Sequence, residues 1–179
     1  MRGGFAFKSE EYTDTGVPII RISNILSNGT VGAEFAYYAK QVDDEEYALY
    51  DGAALLAMSG ATTGKVSVLH AENTDKFYQN QRVGYFTRQK KYDYKFVSTI
   101  VRSSLFANQL GAVLVAGAQP NVSAKDIDSF EFMVPPQTKE QAAIGEYFCN
   151  LDSLITLHQR VKLLKTDIIT RKGVLNNGI

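Results

Sequence analysis

Thiols are almost missing from this sequence: among 179 residues there is a single cysteine, Cys149. A disulfide framework is thereby excluded, and Cys149 falls in a helical pattern where a small buried thiol is expected. Histidine is nearly as scarce. His70 and His158 are the only two, and neither has a cysteine or second histidine at ligand spacing, so a metal centre has no support. No apolar run approaches the roughly 20 residues that span a bilayer, and "MRGGFAFKSE" lacks the long apolar core of a secretion signal. A cytoplasmic protein that does not enter membranes is expected. Excess charge of either sign is missing too: 19 basic residues balance 19 acidic ones. Such a chain is poorly suited to non-specific binding of nucleic acid, so any DNA contact must come from a local patch.

A complete phosphate loop is also absent. "SGATTGKVS", residues 59–67, has three residues between Gly60 and Gly64, where wrapping a phosphate needs four before the Gly-Lys pair. Val66 stands where a magnesium-holding Ser or Thr belongs, and "VSVLH" alternates in the strand period instead of opening a helix. The residues favour a glycine turn between two strands. A nucleotide-binding enzyme built on residues 60–65 is the disfavoured alternative.

What is present reads as a twisted, mostly β core. "GVPIIRISNI" is rich in β-branched residues and is followed by a turn at Asn28 and Gly29. "DGAALLAMSG", "KVSVLH" and "QRVGYFTR" supply further strands, the last two separated by a polar loop at residues 73–75. Over residues 92–110 the period changes to helical, with Phe96, Val97 or Ile100, Val101 and Leu105 forming one stripe that packs on the sheet. A loop follows at residues 117–121, in which Gln119 and Asn121 flank Pro120. Ser123 caps a short turn, and "FEFMV" is expected as a last strand.

The end of the chain carries the clearest structural signal. Pro135 and Pro136 stop the strand, and Thr138 with Gln141 three residues later forms a capping box. From Lys139 to Lys172 no proline intervenes, and Gly173 supplies a stop. This is a rod of about 50 Å. Leu154, Leu157, Val161, Leu164 and Ile168 step by three and four along it, as in the seam of a coiled coil. Ile144, Phe148, Leu151 and Ile155 form a second, offset stripe. No helix of comparable length exists elsewhere to cover both, so the expected partner is another chain.

Six segments fall in a particular order: "GFAFKSEEY", "GVPIIRISNI", "YDGAALLAMSGATTGKVSVL", "YQNQRVGYF", "GAQPNVSAKDI" and "MVPPQTKEQAAIGEYFCNLDSLITLHQRVKLLK". This run resembles one half of the specificity subunit of type I restriction-modification enzymes, over nearly the whole chain. The resemblance implies a mixed α/β target recognition domain at residues 1–136, which reads one part of a split double-stranded DNA sequence. It further implies a spacer helix at residues 137–173, a tail at 174–179, and partners comprising methyltransferase subunits and the restriction and translocation subunit. A full subunit of that family carries two such halves and starts some residues before "GFAFKSEEY". With a single half, the resemblance implies pairing through the C-terminal helix, either with a second copy as an antiparallel homodimer or with the other half of a full subunit.

No catalytic set accompanies this reading. The chain has neither a glycine-rich loop to cradle S-adenosylmethionine nor an Asn-Pro-Pro-aromatic segment, and "DDEE", residues 43–46, reads as a solvated turn. A non-catalytic subunit without a cofactor is expected; a protein-interaction module that binds no DNA is the alternative. For DNA the chemistry wants bidentate donors at base edges and cations at phosphates. Arg82, Arg88, Lys90, Lys91 and Lys95 form one apparent positive cluster around a strand and its following loop. Thr62, Thr63 and Lys65 accompany the glycine turn and are suited to a phosphate. In "YQNQR", Gln79 suits adenine and Arg82 suits guanine, although a buried amide holding loop backbone leaves the same trace in sequence.

Overall fold

The computed structural model describes residues 1–71, 76–116 and 121–176; the side chains of residues 116, 163 and 165–176 are outside that description. The expected loops at residues 73–75 and 117–120, with Gln119 and Pro120, therefore lie outside the described residues, as does the side chain of Ile168.

Two small sheets build the body. The first is four-stranded in the order β2-β1-β6-β3, from β1 (Val17–Ile20), β2 (Ala36–Tyr38), β3 (Ala48–Leu49) and β6 (Phe77–Gln79). The second is three-stranded in the order β5-β4-β7, from β4 (Ala54–Ala57), β5 (Val66–Val68) and β7 (Val83–Tyr85). All four residues of β4 are buried, which is why "ALLA" reads as a continuous apolar run: helices cover one face and the other sheet covers the opposite one. β4 pairs antiparallel on both sides, with Leu56 opposite Val66 of β5 and Gly84 of β7. Alternation along β4 divides the core. Leu55 and Ala57 pack with Ile20 and Leu49 of the first sheet and with Ile25 after it, whereas Ala54 and Leu56 face Phe106, Leu110 and Ile127 of the helices.

The expected single helix over residues 92–110 is two helices, α1 (Tyr94–Ile100) and α2 (Ser104–Ala116). Arg102 Nε donates to Ser98 O at 3.0 Å and Ser103 Oγ to Ile100 O at 2.7 Å, satisfying carbonyls that the end of α1 leaves open. The break resets the helical phase by one residue. Phe96 and Val101 are buried as the stripe requires, but Leu105 is exposed and Phe106 takes its place in the core. Ser123 caps α3 (Ala124–Asp128), and the reciprocal bond from Ser123 N to Asp126 Oδ2 at 2.9 Å completes the box.

"FEFMV" is not a strand. Its backbone finds a side chain instead of a neighbouring ladder: Gln109 of α2 donates to Glu131 O at 2.9 Å and accepts from Glu131 N at 3.2 Å. Phe130 and Phe132 meanwhile pack edgewise and stacked on Phe106. After it comes α4 (Thr138–Asn176), 39 residues long, about 58 Å at the helical rise. The expected capping box is not made. Gln141 turns into the body, accepting from Asp93 N at 3.0 Å and donating to Pro135 O at 2.8 Å, so it anchors α4 to the start of α1. Cys149, expected to be buried, is exposed on α4. Among the described residues no helix is long and apolar enough to cross a membrane.

Candidate functional site

The glycine turn lies at one end of the three-stranded sheet. Ala57, which ends β4, donates to Lys65 O and accepts from Gly64 N, each at 2.9 Å, so the loop between them is closed on itself. Gly60 and Gly64 have φ of 75° and 89°, the left-handed region that side-chain-bearing residues avoid. Inside the loop Thr62 Oγ1 donates to Ile22 O at 3.2 Å and Thr63 Oγ1 to Gly60 O at 2.6 Å. Both hydroxyls therefore donate to backbone rather than to a phosphate. β5 follows directly, so no helix points its N-terminus into the loop and the nucleotide-binding geometry is absent.

Other segments meet this turn. Met58 N donates to Arg82 O and Val122 N to Met58 O, both at 3.0 Å, while Asn80 N donates to Ile20 O at 3.1 Å. The turn thus gathers Lys65, Arg82 and Arg21 at the same end of the body. Arg82 is exposed and Lys65 half-exposed, and neither has an ion pair among the described residues. Arg21 was not singled out from the sequence. Its Nη2 reaches Glu34 O at 3.3 Å, and its Nε is buried without a hydrogen-bond partner among the described residues. An arginine directly after an apolar strand, in "PIIRISN", was the available signal. Position alone did not say that the strand ends beside the glycine turn.

The expected single basic cluster is divided. Arg82 precedes β7 and Arg88 follows it, so the strand, spanning about 10 Å for its length, separates them. Arg88 lies at the opposite end of the sheet, with Nη2 3.3 Å from Asp51 O and its guanidinium carbon 4.2 Å from the centre of the Tyr94 ring. Tyr94 is fixed beneath it: its hydroxyl donates to Phe86 O at 2.7 Å and accepts from Ala54 N at 3.0 Å, and burial pushes its pKa up. Lys91 Nζ lies 5.3 Å from the Tyr92 ring, and Lys90 is exposed. Lys95 leaves the group altogether, paired with Glu146 on α4, which raises its pKa.

Gln79 is corrected most sharply. It is 0% exposed; its amide donates to Arg2 O at 2.9 Å and Val83 O at 2.8 Å, and its oxygen accepts from Arg2 Nε at 3.1 Å. Nothing of the side chain is left for a base edge, so the buried-amide alternative holds. The acidic run at residues 43–46 is likewise more than a solvated turn. Asp44 is buried and accepts from Lys76 Nζ and from Tyr78 Oη at 2.7 Å. The hydrogen bonds from Lys76 and Tyr78 hold its carboxyl below the usual range, while burial first, then the Asp44 carboxylate, push Tyr78 up to about 12.

Along α4 the exposure changes with distance from the body. Ile144 and Leu151 are half-buried, but Phe148 and Ile155 of the same stripe are exposed. Of the seam, Leu154 is 62% exposed, Leu157 59% and Leu164 62%, with Val161 exposed between them. The body's core therefore does not cover the seam.

The sequence matches the family described as the type I restriction modification DNA specificity domain over residues 1–165. The chain belongs to that family. Solved structures agree in fold. One, from work on complex assembly and conformational transition of the type I R-M system, matches with a TM-score of 0.60 at 13% identity, covering 94% of this chain and 39% of its own. The S subunit of a type I restriction-modification system from M. genitalium matches at 0.59 and 14% identity, covering 97% and 41%. The HsdS subunit from Thermoanaerobacter tengcongensis matches at 0.58 and 12% identity, covering 89% and 36%. The chain thus spans about two fifths of the length of these subunits. No curated protein matches it by sequence.

Proposed function

We propose that this specificity domain reads one half of a split DNA target and directs methyltransferase and restriction subunits to it without catalysis of its own. The observation that carries the reading is the family match over residues 1–165. In this reading residues 1–136 are the recognition body and α4 is the spacer, which runs past the expected stop at Gly173 to Asn176. The glycine-turn end reads bases: Arg82 suits guanine, and Lys65 and Arg21 beside it act as positioning groups. Arg88, Lys90 and Lys91 at the far end supply phosphate contacts. The two ends are separated by roughly 20 Å of β4 and its flanks, or about six base pairs at 3.4 Å each, so a duplex lying along the strand reaches both.

The exposed seam of Leu154, Leu157, Val161 and Leu164 supports pairing with a second copy or with the other half of a full subunit. The matched subunits being about two and a half times as long fits either. A self-pair about a two-fold axis, with antiparallel helices, recognises a symmetric split target. Methylome sequencing of cells expressing the chain with its methyltransferase subunit tests this. Modified bases in two inverted half-targets at fixed spacing are expected; modification at one continuous, unsplit motif contradicts the reading.

A further inference from the structure

The crossing of α1 and α4 has features that core packing alone does not need. Gly145 of α4 sits directly on the backbone of α1: a Cβ there would lie 2.5 Å from Phe96 N and 2.7 Å from Lys95 C. Both are main-chain atoms, so no side chain can rotate away to make room. Three polar ties surround the contact. Gln141, one turn earlier, holds Asp93 N and Pro135 O; Lys95 pairs with Glu146; and Arg102 Nη1 meets Asp152 Oδ2 at 2.6 Å, while its Nε holds Ser98 O at 3.0 Å. These ties run from Gln141 to Asp152, about 16 Å along α4. Contacts at several points on one side over that length fix the direction in which the helix leaves the body.

We propose that this joint is a positioning device: it sets the angle between the recognition body and the spacer helix, and thereby the number of base pairs between the two half-targets. This rests on the proposed reading of a split target held by paired helices. The lever makes the angle consequential. From Gly145 to Asn176, where α4 ends, the helix runs about 46 Å, so a tilt of about 5° at the joint moves its far end by about 4 Å. One base-pair step is 3.4 Å. A change too small to disturb the fold therefore shifts the spacing by about one base pair, while the residues that touch bases stay as they are.

The test is selection from a random duplex pool by the assembled enzyme, comparing wild type with Gly145→Ala, with Arg102→Asp, and with the exchange Arg102→Asp plus Asp152→Arg. Gly145→Ala and Arg102→Asp are expected to shift the preferred spacing by one base pair or spread it over two, with the bases of each half-target unchanged. The exchange is expected to restore the wild-type spacing, which a merely structural role would not require. Unchanged spacing in both Gly145→Ala and Arg102→Asp would overturn the proposal. So would equal loss of binding to all duplexes without a spacing change in the folded Arg102→Asp enzyme. A wild-type enzyme that selects no split target contradicts the functional reading itself, and the joint's role falls with it.

Discussion

The two stretches of α4 both carry apolar residues at helical spacing but have opposite surroundings. From Thr138 to Asp152 the helix is tied to α1 and α2's entry turn through Gln141, Gly145, Glu146 and Asp152. From Leu154 to Leu164 it carries leucines at more than half exposure. Helical spacing of apolar residues is present in both. The difference shows that a stripe announces only that a face must be covered; what covers it depends on where the body stops. Near the body, polar groups and one glycine set the geometry, and apolar area contributes less. Beyond it the apolar face is exposed, and it calls for a second helix.

The largest effect that could break this comparison is in the outer stretch. Burying each aliphatic seam residue stabilises by roughly 1.5–3 kcal/mol, so Leu157→Glu with Leu164→Glu should weaken association at least about 100-fold. The expectation is a wild-type dimer at tens of micromolar (roughly) and a monomeric variant by sedimentation, with the melting of the body unchanged. In the inner stretch, Gln141→Ala removes a buried side chain and leaves the part-buried Asp93 N and Pro135 O without their partner, and about 1–2 kcal/mol should be lost in urea unfolding, with little change in association beyond that.

A smaller effect separates the body from the helix. The folded Asp44 carboxyl lies below its ordinary value because Lys76 and Tyr78 bond to it. Its stabilisation is therefore complete above the unfolded carboxylate range and is lost as pH falls through that range toward the folded value. Melting of the wild type should decline below about pH 4, and Asp44→Asn should be less stable at neutral pH with a flatter acid limb. The dimerisation of the seam should not follow this titration. The smallest expected effect is at the exposed Lys95 and Glu146 pair, where Glu146→Gln should leave the melting temperature within error. A large drop there would mean the inner stretch depends on charge more than on Gln141 and Gly145.

Much of the fold was legible because it rests on local signals. β4 was marked by its run of apolar residues, the short turn that proves to be α3 by Ser123, and α4 by its uninterrupted length. The misreadings share one cause. Leu105 continues the α1 period in sequence but lies outside, since Arg102 and Ser103 close one helix and restart another. Thr138 and Gln141 have capping spacing, yet Gln141 has a better-buried use 48 residues away in sequence. "FEFMV" has strand composition but meets Gln109 instead of a strand. At the candidate site, the glycine turn was visible from Gly60 and Gly64. The separation of Arg82 from Arg88 required knowing that a strand runs between them, and Arg21 joins the turn because the segment after β1 lies against it, Thr62 donating to Ile22 O.

The proposed function assigns base reading to the glycine-turn end and phosphate holding to the far end. Selection from a random duplex pool by the assembled enzyme, followed by salt titration on the winning duplex, tests it directly. Arg82→Ala should relax one position of each half-target by about 1–3 kcal/mol. Arg88→Glu with Lys90→Glu and Lys91→Glu should leave the selected bases intact while weakening binding to every duplex and flattening its salt dependence. The reverse pattern, with unchanged bases after Arg82→Ala and an altered target after the triple reversal, would contradict the account.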